Sequence, residues 1–439
     1  MTNAFLPLAL AALITLSASA QSEPEPQPFD ANAAWQEYQS LLEEKYAYID
    51  RPDFDVDAYL KRAGEIASTL KTDGEMRAFI HRSTYAFTDP HLIVGPFTES
   101  DFNIIPTVSH VWIDYQKGQY RLSDVRQTGT LIGLGLESGL ILTHVNGVPI
   151  EDGVAEIYDD LLESPIDKQK AYAATLLANG RRDGERVSIS LATDNDDVIE
   201  IALNDPRAYA VKVSEMAPLS YRTQDGIGII RINNSLGNNE TIIAFDEAMQ
   251  ALGNSRAIIV DLRNTPSGGN TEVARGIIGH FIDNVRPYQV HEIPAFNREF
   301  TVPRRFTEDV FPRATYYDGP LIVLGSRWTG SMGEGLVIGL DAAAGAYTIT
   351  SDMGDLLGGL WNYDLSAIPA RVDLGGEALF HVDGTPREDY QPDLFIENAE
   401  NGGSSQDIAL EAAFACINAG TCTIRKVKSE LQRPSNALD

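Results

Sequence analysis

The chain has 439 residues, 43% hydrophobic and 22% charged, an ordinary globular composition with material for two or three domains. Acidic residues number 63 against 34 basic ones, a formal net charge of −29. Such a surface repels phosphate backbones and argues against nucleic acid as a partner. In chain order, Met1–Ala20 reads as a secretory signal. An apolar run, Phe5–Leu16, too short to span a bilayer comfortably, precedes the small-residue cleavage pattern Ala18-Ser19-Ala20, although the n-region lacks Lys and Arg. Cleavage before Gln21 would leave an exported, periplasmic or extracellular protein with no membrane span. Gln21–Pro28 is polar and Pro-rich, the composition of a disordered leader. Residues 29–97 read as a helical domain, with Trp35, Tyr38, Leu41, Leu42 and Tyr46, then Tyr59, Ala63, Ile66 and Leu70, at helical spacing. It ends in FTDPHLIVGP.

Residues 102–205 change period. WIDYQKGQYRLSDV predicts a hairpin about Lys117-Gly118. A strand, an Asn146-Gly147 turn, a helix near Val154–Leu162 and two further strands, RVSISLAT and VIEIAL, follow. The stretch LGLESGLILTHVNGVPI resembles the signature of PDZ domains, with Leu140 where an Asp is usual. That resemblance implies a module that binds extended peptides, often chain ends, by adding a strand to a sheet edge.

Residues 206–425 alternate strand and helix, the pattern of a parallel sheet in an α/β domain. GIGIIRI, AIIVDL, LIVLG and YTITS are the strands. Ligands of such sheets bind beyond the carboxyl ends of strands. Two Gly-rich segments fall there: RNTPSGGN (Arg263–Asn270) and the turn before Ser331. LIVLGSRWTGSMGEGLVIGL predicts a buried strand, a tight turn and a helix opening at Ser331. A hydroxyl at a helix N-terminus, near free N–H groups, suits a nucleophile beside an oxyanion site. Ser331 and Glu334 also form S-x-x-E, a plain capping box, and the motif alone leaves both readings open. Glu334 accordingly either caps its helix or shapes a site. Gly268 or Gly269 in the first loop, with the Met332 amide, would supply two oxyanion donors. An ordinary strand-to-helix turn is equally rich in Gly.

The order of these motifs resembles the C-terminal processing (tail-specific) peptidases. Their VDLR-x-N-x-G-G element appears as IVDLRNTPSGG with one extra residue, their Ser with Glu three on as GSMGEG, and their PD-x-x-[IVE] element as QPDLFIE. The resemblance implies a crotonase/ClpP-like catalytic α/β domain with an N-terminal helical segment and an inserted PDZ-like β domain. It also implies Ser331 as nucleophile and no metal or organic cofactor. The best-known branch uses a lysine base about 25 residues after the serine. Here Leu356 falls near that place, and no lysine occurs between Ser331 and Lys426. FTDPHLIVGP resembles a His-bearing segment of the tricorn and retinoid-binding-protein-like branches. That implies His91 as base, oriented by Glu388 or, because this loop is shorter, by Asp389. His110 is the alternative base.

The expectation is therefore an exported serine endopeptidase acting on polypeptide chain ends. The rival is a non-catalytic protein binding peptides or apolar ligands on the same scaffold, and a third reading is an esterase of small molecules. Cys416 and Cys422, in ACINAGTC, are the only cysteines and are expected to close a small disulfide loop. Residues 426–439 form a polar tail.

Overall fold

The computed structural model describes residues 28–422, apart from Pro52, Gly129, Ile132, Asp196, 401–403 and Ser405. The signal sequence, most of the leader and the polar tail lie outside the described residues. A six-stranded sheet forms the centre, in the order Leu394–Phe395, Tyr347–Thr350, Leu321–Gly325, Ala257–Asp261, Ile227–Ile232, Leu219–Gln224. Its first five strands run parallel and the last is antiparallel. Ala257–Asp261 and Leu321–Gly325 are buried at every residue. They lack polar alternation because both faces are covered. Ile258, Val260 and Val323 pack on helices Glu240–Leu252, Thr271–Ile278 and Met332–Ala344. Ile259, Ile322 and Leu324 pack on helix Ile408–Ala419. This helix ends beside a Cys416–Cys422 disulfide.

A second sheet, not foreseen in the sequence, is antiparallel. It joins Arg286–Glu292, Arg305–Val310, Gly359–Asp364 and Arg371–Phe380 to the short strand Ile93–Gly95. Through that last strand the N-terminal helices are tied to the C-terminal half. Tyr38, Leu42, Leu60 and Ile80 share one core with Leu365, Ile368, Val372 and Leu374. Residues 29–97 thus do not enclose a core of their own.

Residues 102–205 hold a six-stranded antiparallel sheet with helices Ile150–Tyr158 and Asp167–Asn179. Both predicted turns are present. Lys117, Gly118, Asn146 and Gly147 all have positive φ, which two-residue hairpins of the right twist require. The first helix starts four residues earlier than expected, and the second was not predicted. That second helix closes the outer edge of strand Val111–Gln116. Asn179 accepts from Val111 N–H at 3.2 Å and donates to its carbonyl at 2.8 Å. Thr175 Oγ1 does the same for Ile113, at 3.0 and 3.2 Å. Two helix side chains thereby imitate a neighbouring strand. This edge of the sheet is thereby occupied at Val111 and Ile113. Among the described residues no helix is long and apolar enough to cross a membrane.

Candidate active site

Strand Leu321–Gly325 leads into a turn closed against the neighbouring loop. Gly330 N–H and Gly268 N–H both donate to the Thr265 carbonyl, and Thr265 N–H donates to the Trp328 carbonyl. The helix then opens at Met332, with Ser331 at φ 54°, ψ −117°. A non-glycine residue there is strained by about 1–3 kcal/mol and persists only where its surroundings impose it. An ordinary N-cap is extended and its side chain bonds the first turn. Ser331 does neither, and its hydroxyl makes no capping bond. The Glu334 half of the S-x-x-E capping box is thus present, its carboxyl on Ser331 N–H at 2.6 Å, but Ser331 does not have the backbone of an ordinary N-cap and its turn is strained.

Glu334 is deeply buried, 2% exposed. Its carboxylate accepts from Ser331 N–H at 2.6 Å, Asp355 N–H at 3.1 Å and Leu356 N–H at 3.3 Å. It thus fixes the backbone of the serine turn and fastens it to loop 352–358. Burial pushes this carboxyl up to about 8, against the pull of Arg387. Arg387 lies 3.9 Å from it and also bonds the Leu356 and Gly358 carbonyls.

Gly268 and Gly269 need to be glycine. A Cβ on Gly268, at φ +62°, would stand 2.5 Å from both Met332 N and Ser331 Cβ; one on Gly269 would stand 1.9 Å from the Leu236 carbonyl carbon. Their amides differ. That of Gly268 is engaged by Thr265 at 3.3 Å. Those of Gly269 and Met332 have no partner among the described residues, and both residues line the same cavity as Ser331. Of the two expected glycines, only Gly269 has an amide to offer.

That cavity, of about 750 Å³, also holds His91. The FTDPHL segment turns through Thr88 at φ 50°, and the Asp89 carboxylate then ties the segment together. Asp89 accepts from His91 N–H at 2.9 Å, Leu357 N–H at 3.2 Å and Tyr46 Oη at 2.8 Å. Burial raises its carboxyl to about 6. His91 Nδ1 lies 3.0 Å from the Leu357 carbonyl. A carbonyl only accepts, so Nδ1 carries the proton and Nε2 keeps its lone pair. Burial pushes the imidazole down to about 4, partly offset by that carbonyl, so the ring is neutral at pH 7.

Glu388 does not orient His91. It lies 3.5 Å from Arg51, and burial raises its carboxyl. Asp389 makes no bond to the ring either; the Leu357 carbonyl holds it instead. His110 is buried at the start of the small-domain strand and does not line the cavity. A second histidine does, His291 on strand Arg286–Glu292. His291 sits between Glu377 at 2.7 Å and Glu308 at 3.1 Å, stacked on Phe306. Burial opposes its charge, but the two carboxylates win and raise its pKa. Both of its nitrogens are engaged, Nδ1 by Glu377 and Nε2 by Glu308 and Gln289, so it offers no free nitrogen to a substrate. Only the alternation in RPYQVHE could have placed it on a strand face, since its carboxylate partners come from two other strands.

One cavity thus holds a partner-free serine hydroxyl, a neutral imidazole with one free nitrogen, and two unpartnered amides. Among the described residues no group of three His, Cys, Asp or Glu is placed to share a metal ion.

Residues 226–349, which contain both Gly-rich turns and Ser331, match the family model described as Peptidase family S41. No curated protein matches the chain in sequence. Among solved structures, mature CPAF superposes with a TM-score of 0.61 at 14% identity, over 90% of this chain and 99% of CPAF. The photosystem II D1 C-terminal processing protease gives 0.52 at 13% identity, over 86% and 98%. At such identities the likeness is one of fold.

Proposed function

We propose that this chain is a serine peptidase that cleaves polypeptides through an acyl-enzyme on Ser331. The observation that carries the reading is the strained Ser331 turn, its hydroxyl free, in one cavity with a neutral His91. The family match over residues 226–349 supports it. Ser331 Oγ attacks a peptide carbonyl and passes its proton to His91 Nε2. The Gly269 and Met332 amides stabilise the oxyanion. His91 then protonates the leaving amine and afterwards activates the water that releases the acyl group. The Leu357 carbonyl keeps the ring in its tautomer, a task usually given to a carboxylate at Nδ1, and Asp89 ties together the backbones of His91 and Leu357.

The sequence resemblance favours substrates presented by their chain ends, and the signal-like N-terminus with the disulfide favours export. Residues 102–205 are read as the PDZ-like insertion, and the α/β half as the crotonase/ClpP-like domain. A fluorophosphonate probe followed by peptide mapping tests the core of the reading. Labelling confined to Ser331, together with cleavage of an unfolded protein substrate, is the expected result. Absence of both would leave the non-catalytic binding protein.

A further inference from the structure

Arg327 and Trp328 stand four and three residues before Ser331, yet both reach into the 102–205 domain. Arg327 is 8% exposed and faces carboxylates from two sides. Its guanidinium lies 3.6 Å from Asp114 and 3.8 Å from Asp124 of the small domain, over the Trp112 ring. It also lies 3.0 Å from Asp352 and bonds the Met353 carbonyl at 3.3 Å. Asp352 and Met353 belong to the loop whose Asp355 and Leu356 amides are held by Glu334, and whose Leu357 carbonyl holds His91. Trp328 is fully buried, and its indole N–H donates to Ser109 Oγ of the small domain at 2.9 Å. The Trp328 carbonyl accepts from Thr265 in the Gly268–Gly269 loop. The serine turn, the Gly268–Gly269 loop and loop 352–358 are therefore each one or two bonds from these two residues.

At Val111 and Ile113 the sheet edge beside helix Asp167–Asn179 is closed to an added strand. An added peptide strand needs the outward N–H and C=O groups of Val111 and Ile113. Asn179 and Thr175 hold all four. Displacing them would strand the buried polar groups, at about 1–3 kcal/mol each.

We propose that the 102–205 domain positions the Ser331 site, through Arg327 and Trp328, and does not capture substrate as a strand added at Val111 and Ile113, with Arg327 as the positioning residue that joins the domain, the serine turn and loop 352–358. The proposal rests on the serine-peptidase reading for its kinetic consequence but not for its structural one.

The experiment compares the full-length Arg327→Gln and Arg327→Lys variants with wild type. It reads kcat and KM on an unstructured peptide, and hydrogen exchange at the Ser331, Asp355 and Leu356 amides. Arg327→Gln is expected to lower kcat about 10- to 100-fold with KM within about twofold, since displacement of a reacting group by an ångström has such cost. The three amides should exchange at least about tenfold faster, while strands Val187–Ala192 and Val198–Leu203 keep their protection. Arg327→Lys, which restores charge but not the planar fork, should recover part of both. Unchanged amide exchange in a folded Arg327→Gln variant overturns the proposal, and so does a rise in KM alone, which marks a substrate receptor. If wild type neither labels nor turns over, the peptidase reading falls while amide exchange still decides the positioning role. Should Arg327→Gln fail to fold, Ser109→Ala removes the acceptor of the Trp328 indole N–H without emptying the space of a buried indole. A change of about threefold in the same direction is then expected, and wild-type exchange at Ser331 overturns the proposal.

Discussion

The serine turn and the outer edge of the small domain make an instructive pair. Both carry polar backbone groups that could meet a ligand. Beside Ser331 the Gly269 and Met332 amides are left without partners among the described residues, and Ser331 is held at φ 54°. At Val111 and Ile113 the outward groups are all engaged by Thr175 and Asn179, with no strain. Buried polar groups are normally satisfied, so a cluster that is open and strained implies a use that maintains it. A cluster that is closed implies a structural role.

Substitutions can break that contrast. The largest expected effect is that of Ser331→Ala, a loss of about 10³-fold or more in kcat. Ser331→Gly should be equally inactive yet more stable than Ser331→Ala by about 0.5–1 kcal/mol, because glycine accepts positive φ. Equal melting temperatures for the two variants would mean the turn is not strained in solution.

His91→Ala should cost about 10²- to 10⁴-fold in kcat, the range for loss of a general base. A base works only when deprotonated, so activity falls as pH drops through its pKa. With the imidazole pushed down to about 4, kcat/KM should stay level from pH 7 to pH 5 and fall only below that. An acid limb between pH 6 and 7 that persists in Asp89→Asn, which removes the carboxyl raised to about 6, would show that His91 is not depressed, or not the base. Glu388→Ala, whose carboxylate faces Arg51 and not the ring, should change kcat less than about tenfold.

Gly268→Ala tests the close approach of the two turns. Its Cβ would fall 2.5 Å from Met332 N, at a backbone angle of φ +62°. A destabilisation of about 1–3 kcal/mol, with loss of activity, is expected from thermal unfolding and turnover together. The smallest catalytic effect belongs to the closed edge. Asn179→Ala should lower stability by about 1–3 kcal/mol, by leaving Val111 groups unpaired, and leave KM for peptides unchanged. A marked drop in KM would mean that opening this edge creates a peptide site.

The central sheet was legible because its strands are local runs with local signals. Continuous apolar stretches such as AIIVDL and LIVLG can only be strands covered on both faces, and Gly-rich turns mark their carboxyl ends. The second sheet was not legible. Its strand Gly359–Asp364 alternates between half-buried and exposed residues, and Arg305–Val310 is nearly all exposed. Neither bears the hydrophobic pattern that announces a strand. Helix Asp167–Asn179 was missed for a related reason. Its buried face includes Gln169, Thr175 and Asn179, polar residues whose partners lie on a distant strand or loop.

By itself the sequence determined that Ser331 opens a helix after a buried strand, that two glycines face it from a neighbouring strand end, and that no lysine follows at the place where a base is usual. Those are properties of short stretches, set by periodicity and by what glycine alone can adopt. Only the tertiary structure decided which amide was free, Gly269 and not Gly268, and which partner fixed His91, a carbonyl from Leu357 rather than the Glu388 carboxylate. It also decided that two carboxylates push the His291 imidazole up while burial pushes that of His91 down. Hydrogen-bond satisfaction and protonation depend on groups brought together from 266 residues apart, as His91 and Leu357 are. Such distances in sequence carry no local signal.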